Sequence, residues 1–261
     1  MERDEGRGRV AVVTGGASGI GLATAGVLAA RGWRVVISDL DADACAAAAG
    51  PIKAEPVAFD VVDEAATQAA LDAIEARLGP VEALMANAGL IQPGGRPEER
   101  PLAEFDRIIA VNLRGVYVSC LAAGTRMARR GAGGIVITGS VTASRTAPLH
   151  AYAPSKAAVV HMAACLAAEW GRSGVRVNAV SPGYVATPPL RAAMERGQRD
   201  PRLLTEAAAL GRMVEPEEVG RGVAFLLSDD AAAITGINLP VDAGWLAGAH
   251  LSTYGGVRPA R

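Results

Sequence analysis

Short aliphatic and β-branched runs recur along the chain near residues 10, 34, 56, 82, 134, 175 and 236, with longer Ala- and Leu-rich stretches between them. The short runs lack the apolar/polar alternation of a half-solvated strand, which fits strands covered on both faces. The stretches between them are long enough for helices that carry the chain back across a sheet. This order predicts an α/β chain folded as a single domain, a doubly wound parallel sheet of about seven strands with helices on both faces. A flexible leader over 1–9 precedes the expected domain at 10–244, and a tail over 245–261 follows it.

The run 9–14 leads directly into Gly15-Gly16-Ala17-Ser18-Gly19-Ile20-Gly21 and then into a helical stretch, 22–31. Strand, glycine turn and helix N-terminus form a cradle for phosphate, because the first N–H groups of a helix are unpaired and its dipole favours an anion. A glycine-rich turn without a ligand is the alternative. The context of a dinucleotide fingerprint is nevertheless complete, since a second strand, 34–38, follows the helix and ends at Asp39. Asp39 lies about 20 residues beyond the loop, where an acid accepts from the adenosine ribose hydroxyls and repels a 2′-phosphate. Ser18 and Leu40 offer no compensating cation, so the expected cofactor is NAD rather than NADP. Asp60 and Val61, after the run 57–59, are placed to reach the adenine. Asn87-Ala88-Gly89 closes another apolar run, either as a second cofactor contact or as a capped strand end.

Tyr152 and Lys156 stand four residues apart, and Ser140 lies upstream at the end of Gly-Ile-Val-Ile-Thr-Gly-Ser. On a helix that spacing puts phenol and ammonium on one face, one turn apart. A nearby fixed positive charge favours phenolate, which predicts a lowered Tyr152 pKa and a general acid/base. The same spacing also arises by chance on amphipathic helices. Pro154 is tolerated only in a first turn, so the helix is expected to begin at or just before Tyr152. Asn112 sits in a helical setting that disfavours it, as a functional residue or as a satisfied polar group at a kink.

Composition narrows the function classes. The formal net charge is −1 and the basic residues are scattered, which gives no nucleic-acid footprint. The charged leader lacks the apolar core of a signal peptide. No stretch approaches the roughly 18 uninterrupted apolar residues of a membrane span, so a soluble, cytoplasmic protein without membrane partners is expected. Cys45, Cys120 and Cys165 are too few and too far apart for a zinc ribbon or redox pair, and each is expected to be a small buried hydrophobe. His150, His161 and His250 show no ligand spacing, so no metal is expected.

Thr14-Gly15-x-x-x-Gly19-x-Gly21, Asn87-Ala88-Gly89, Asn112, Ser140 and Tyr152-x-x-x-Lys156 occur in the order of the short-chain dehydrogenases/reductases, and the chain resembles that family from about residue 10 to residue 244. The segment 181–187 is similar to the family's Pro-Gly segment near the nicotinamide, which adds Pro182, Gly183, Val185 and Thr187 to the expected cofactor contacts. The segment 234–244 is similar to its last strand, with Ala243 where the family usually has glycine.

The resemblance implies a Rossmann-like fold and an NAD-dependent enzyme that interconverts a secondary alcohol and a ketone. Ser140 would bind the substrate oxygen, and Tyr152 would take or give its proton. Lys156 would also hold the nicotinamide ribose, and Asn112 would anchor a water linking Lys156 to solvent. Thr142, His150 and Tyr184 would line the substrate pocket, His150 being otherwise a surface loop histidine. The polar segment 187–213 would form a lid, with Leu90, Leu190, Met194, Leu203 and Met213 facing the substrate, or else a mobile surface excursion. The stretches 112–130 and 152–172 carry more apolar positions than one buried stripe needs, and the resemblance, in which these helices pair across one two-fold axis and the last strand across another, implies a homotetramer. Polyols, sugars or other small secondary alcohols suit an NAD enzyme. A 3-oxoacyl-thioester reductase shares the scaffold but usually prefers NADP. A non-catalytic NAD-binding regulator would be expected to lack Tyr152 or Lys156, and a cofactor-free lyase to have a damaged glycine loop.

Overall fold

A computed structural model describes residues 6–251 and 256–257 of the chain. Seven strands form one sheet: β1 (Val10–Thr14), β2 (Arg34–Asp39), β3 (Glu55–Ala58), β4 (Val81–Ala86), β5 (Gly133–Thr138), β6 (Val175–Pro182) and β7 (Asn238–Val241). Their order is β3-β2-β1-β4-β5-β6-β7, and every pairing is parallel. Ten α-helices are described: α1 (Gly19–Ala30), α2 (Ala42–Ile52), α3 (Glu64–Leu78), α4 (Leu102–Ile109), α5 (Val116–Arg130), α6 (Tyr152–Trp170), α7 (Pro188–Glu195), α8 (Pro201–Thr205), α9 (Pro216–Leu227) and α10 (Trp245–Gly248).

The absence of alternation in the five inner strands has a simple cause: both faces of the sheet are covered there. Val10 and Val12 of β1 face one core with Leu71 and Ile74 of α3, Cys120 and Met127 of α5 and Val159 of α6. Ala11 and Val13 face the other, with Leu28 of α1, Cys45 of α2 and Val223 and Leu226 of α9. Each fully buried Leu or Ile contributes about 1.5–3 kcal/mol. The sheet order runs outward in both directions from β1 and β4. A crevice opens there at the carboxyl ends of the strands, where ligands bind in open α/β sheets.

Several expectations change. The first helix starts at Gly19, inside the glycine loop, rather than at residue 22. The last strand shortens to Asn238–Val241. Asn112 lies in a π-helical turn, Ala110–Gly115, wedged between α4 and α5. The segment 187–213, expected as a lid, is more regular than its polarity implies, because α7 and α8 each begin with proline in the first turn. Leu203 points outward at 71 % exposure, while its neighbour Leu204 is buried. Cys165 is exposed, unlike Cys45 and Cys120.

Residues 6–9 of the expected flexible leader are bonded to the α1–β2 turn, with Gly6 N–H donating to Arg31 O at 2.7 Å and Gly8 N–H to Gly32 O at 2.9 Å. The first four residues of the expected tail form α10. Residues 1–5, 252–255 and 258–261 lie outside the described residues. The helical run Leu102–Arg130 is, by length and composition, apolar enough to cross a bilayer, which the search for uninterrupted apolar stretches missed. Over half of its most apolar window is buried inside this domain. Its apolarity is that of a core helix.

Candidate active site

The glycine loop and the segment after β4 are locked side by side by Thr14 and Asn87. Thr14 Oγ1 accepts from the N–H groups of Asn87 (3.0 Å) and Ala88 (3.2 Å). Asn87 Nδ2 donates to Thr14 O and Gly15 O, both at 3.1 Å, and Asn87 Oδ1 accepts from Thr138 Oγ1 at 3.1 Å. Gly15 has φ +62°, and a Cβ there would lie 2.8 Å from Ala88 Cα. The loop therefore passes too close to β4 for any side chain.

A crevice of about 700 Å³ runs along this edge. Its walls include Gly15, Ser18, Gly19, Ile20, Asp39, Leu40, Asp60, Val61, Asn87, Ala88, Gly89, Tyr152, Lys156 and Thr187, all expected from the sequence. Gly21, Pro182, Gly183 and Val185 are not among the walls. Gly21 packs under the loop, Gly183 packs on Asp242, and Val185 is in the core. Arg107, Ala110 and Val111 also line the crevice, as do Thr138 and Pro189, none of them signalled by a motif.

The crevice fits a dinucleotide. Ser18 precedes α1 without a side-chain cap, and no acid occupies the first turn, so the helix start is bare toward an anion. At the other end Asp39 holds the backbone through Leu40 N–H (2.8 Å) and Ala17 N–H (3.4 Å). Gly15, Ser18 and Gly19 would hold the pyrophosphate and Asp39 the adenosine ribose.

Tyr152 is the first residue of α6, as Pro154 requires, and Lys156 is one turn further. Lys156 is 3 % exposed, its Nζ donates to Thr138 O at 2.8 Å, and it stands 5.6 Å from the Tyr152 ring centroid. Burial lowers its pKa to about 8. The expected lowering at Tyr152 is not found: burial pushes the phenol up, and its hydrogen bond with Ser140 offsets that only in part. Desolvation disfavours both charged forms and is the largest cause at each group. Ser140 Oγ accepts from Thr142 N–H (3.2 Å) and Thr142 Oγ1 (3.0 Å), which fixes its rotamer.

Asn112 is fully buried. Its Oδ1 accepts from Leu90 N–H at 2.7 Å, while its Nδ2 donates to Leu90 O at 2.9 Å and to Ser155 Oγ at 3.3 Å. A Cβ on Gly89 would meet Asn112 Oδ1 at 3.3 Å and Lys156 Nζ at 3.5 Å, so the absence of a side chain at 89 lets the two groups share one corner. Asn112, Ser140, Tyr152 and Lys156 thus converge. The other expected substrate contacts are more dispersed. Thr142 is half-buried beside Ser140, Tyr184 is 39 % exposed and packs edge-on against Trp245 at 5.8 Å, and His150 is exposed. None of the three, nor Ser140, is among the crevice walls.

Residues 15–246 match the family described as Enoyl-(Acyl carrier protein) reductase. A D-threitol dehydrogenase from Mycolicibacterium smegmatis is 39 % identical over 91 % of this chain and 93 % of its own length. A cis-4-hydroxycyclohexanecarboxylate dehydrogenase from Sinomonas cyclohexanicum is 40 % identical over 92 % of this chain and 97 % of its own. Among solved structures, one named ribose-5-phosphate isomerase, from Brucella melitensis 16M, superposes with a TM-score of 0.93 at 42 % identity, covering 97 % of this chain and 98 % of that one. The chain belongs to the short-chain dehydrogenase/reductase family. It is an oxidoreductase acting on alcohols with a nicotinamide cofactor. Because one fold carries differently named activities, its particular chemistry has to be argued from the site.

Proposed function

We propose that the enzyme interconverts a small secondary alcohol and its ketone with NAD(H), the alcohol being a polyol, a sugar or a comparable hydroxyl compound. Tyr152 and Lys156 in the wall of a crevice that also presents Asp39, with Ser140 hydrogen-bonded to Tyr152, carry this proposal. Bound nicotinamide supplies the acceptor for hydride in oxidation and the donor in reduction.

In oxidation the substrate hydroxyl hydrogen-bonds Ser140 and Tyr152. The ionised phenol takes the hydroxyl proton as the carbinol carbon loses hydride, and in reduction the phenol returns that proton to the developing alkoxide. Ser140, its rotamer set by Thr142, steadies charge on the oxygen. Lys156 is held by Thr138 O beside the phenol, where its ammonium favours phenolate, and its remaining N–H groups would hold the nicotinamide ribose. Asn112, whose side chain ties Leu90 to Ser155, would anchor a water that connects Lys156 to solvent. The relatives' names support the alcohol class: one acts on a polyol, the other on a ring hydroxyl.

Asp39 supports NAD over NADP by charge repulsion at the 2′ position. A cytoplasmic homotetramer fits the same scheme. Tyr117 on α5 is 45 % exposed, and α6 leaves Met162, Cys165 and Leu166 incompletely buried, as a helical subunit interface requires. Light scattering at micromolar concentration checks the assembly, and a stable monomer would contradict it. For the chemistry, NADH absorbance is followed with a panel of secondary alcohols, diols and polyols. Equal turnover by wild type and Tyr152→Phe would defeat it.

A further inference from the structure

Helix α6 starts with Tyr152, but its own sequence does not cap it: Ala151 precedes it and no acid lies in its first turn. One distant side chain does. Gln92 Oε1 accepts from Ala151 N–H at 2.8 Å and from Tyr152 N–H at 3.2 Å. Gln92 is 5 % exposed and Ala151 1 %, so without that oxygen these N–H groups would be buried without a partner.

The other side of the Tyr152 residue is held as well. Its carbonyl oxygen accepts from Ser155 Oγ at 2.6 Å, and Ser155 Oγ in turn accepts from Asn112 Nδ2. Asn112 is paired with Leu90, two residues before Gln92. The segment after β4 therefore grips α6 at its amide through Gln92 and, through Leu90 and Asn112, at its carbonyl.

The chemical type of the cap matters. Asp, Asn, Ser and Thr are the usual caps, and a carboxylate at this place would set negative charge against the positive end of the helix dipole, next to the phenol. Glutamine accepts the same hydrogen bonds without charge. The charged groups sharing the crevice with Tyr152 are Lys156 on its own helix, Arg107 on α4, Asp39 after β2 and Asp60 after β3. The other neighbours of α6 direct their cations elsewhere: Arg114 of the π-helical turn bonds Val62 O, Arg126 and Arg130 of α5 pair with Asp72 and Glu75, and Arg176 of β6 bonds Leu226 O. Glu104 of α4 pairs with Arg100, and Asp106 of α4, Arg129 of α5, Arg145, His150 two residues before Tyr152, His161 and Glu169 of α6 and Arg172 after it are all exposed.

We propose that Gln92 is a positioning residue for the acid/base step: it fixes the Tyr152 peptide from outside the helix and, being neutral, leaves the positive end of α6 uncompensated beside the phenol. This rests on Tyr152 being the acid/base group.

The test uses the full chain as wild type, Gln92→Glu, Gln92→Leu and Tyr152→Phe, with NAD and the fastest alcohol of the panel. Two readouts are taken: the pH profile of kcat, and tyrosinate difference absorbance against the matching Tyr152→Phe protein without cofactor. Glutamate keeps both hydrogen bonds and adds charge. Its expected profile and its tyrosinate midpoint both move up by about half a pH unit or more, with kcat above the midpoint within about threefold of wild type. Leucine cannot accept, and its expected kcat falls about tenfold or more at every pH, with KM for NAD changed much less. If the leucine variant does not fold, the glutamate midpoint decides alone. An unmoved midpoint in Gln92→Glu, with Tyr152→Phe inactive, overturns this proposal only. Full turnover by Tyr152→Phe overturns both it and the assignment beneath it.

Discussion

Lys156 Nζ lies 5.6 Å from the centre of the Tyr152 ring, yet its hydrogen bond goes to the carbonyl oxygen of Thr138, at 2.8 Å. The ammonium is thus fixed beside the phenol, in a pocket that removes it from water. The folded state pays for that in stability. With a pKa near 8 when folded and 10.5 when free, the folded protein carries the full cost of a buried charge below about pH 8. Between 8 and 10.5 the unfolded chain binds more protons, so stability from this group rises with pH, and above 10.5 it is level.

Lys156→Met is therefore expected to be inactive and yet more stable than wild type at pH 7, by on the order of 1–3 kcal/mol after allowing for the lost bond to Thr138 O. Thermal melts across pH, without cofactor, check this. The gap should narrow as pH rises through the Lys156 range, and a variant that melts lower at pH 7 would contradict the burial argument.

The raised phenol pKa has its own signature. Oxidation needs phenolate and reduction needs phenol, so kcat for alcohol oxidation should climb as pH rises while ketone reduction holds and then falls. Initial rates in both directions across pH check this: opposed profiles that persist in Tyr152→Phe would point to another group as the acid/base.

Much of this was legible in the chain and some was not, for physical reasons. The five inner strands could be read because both faces of each are largely buried, and the cradle because only glycine fits where the loop passes the end of β4. Tyr152 could be placed at a helix start because Pro154 permits little else. The direction of its pKa shift could not be read, since spacing reveals the neighbouring charge but not the desolvation. Gln92 could not be read either: its partners lie 59 and 60 residues away, and no local pattern marks a cap supplied from another loop. Leu203 and Leu204 are adjacent in a five-residue helix, too short for periodicity to say which is inward. The π-helical turn at Asn112 adds to the helix without any compositional signal.

Asn112 offers the clearest structural prediction. Its amide, itself buried, closes two hydrogen bonds with the half-buried Leu90 backbone and a third with Ser155. Asn112→Ala leaves both Leu90 groups unpaired and is expected to cost about 2–4 kcal/mol by denaturant unfolding, with kcat reduced as well. A loss under about 0.5 kcal/mol would mean that the pair is dispensable.

Ala243 has φ +53°, the left-handed region, where the family usually has glycine. An L residue there is strained by roughly 1–2 kcal/mol, part of which is recovered by the packing of its methyl group on the core. Ala243→Gly is expected to raise stability by about 0.5–1 kcal/mol, read as a small increase in Tm with no change in kcat.

In the proposed reading Asp39 sets cofactor choice through charge. Wild type should show the higher kcat/KM with NAD, and Asp39→Ser should narrow the difference by about tenfold or more by removing repulsion at the 2′ position. Kinetics with both cofactors decide this, and a wild-type preference for NADP would contradict the assignment.

The most direct measurement is NADH formation from a panel of secondary alcohols, diols and polyols by wild type beside Tyr152→Phe, with the NAD affinity of each protein measured in parallel. The expected result is turnover of at least one alcohol by wild type, and a loss of about a hundredfold or more in the variant with NAD affinity retained. Equal turnover by the two proteins would show that the proton passes through another group.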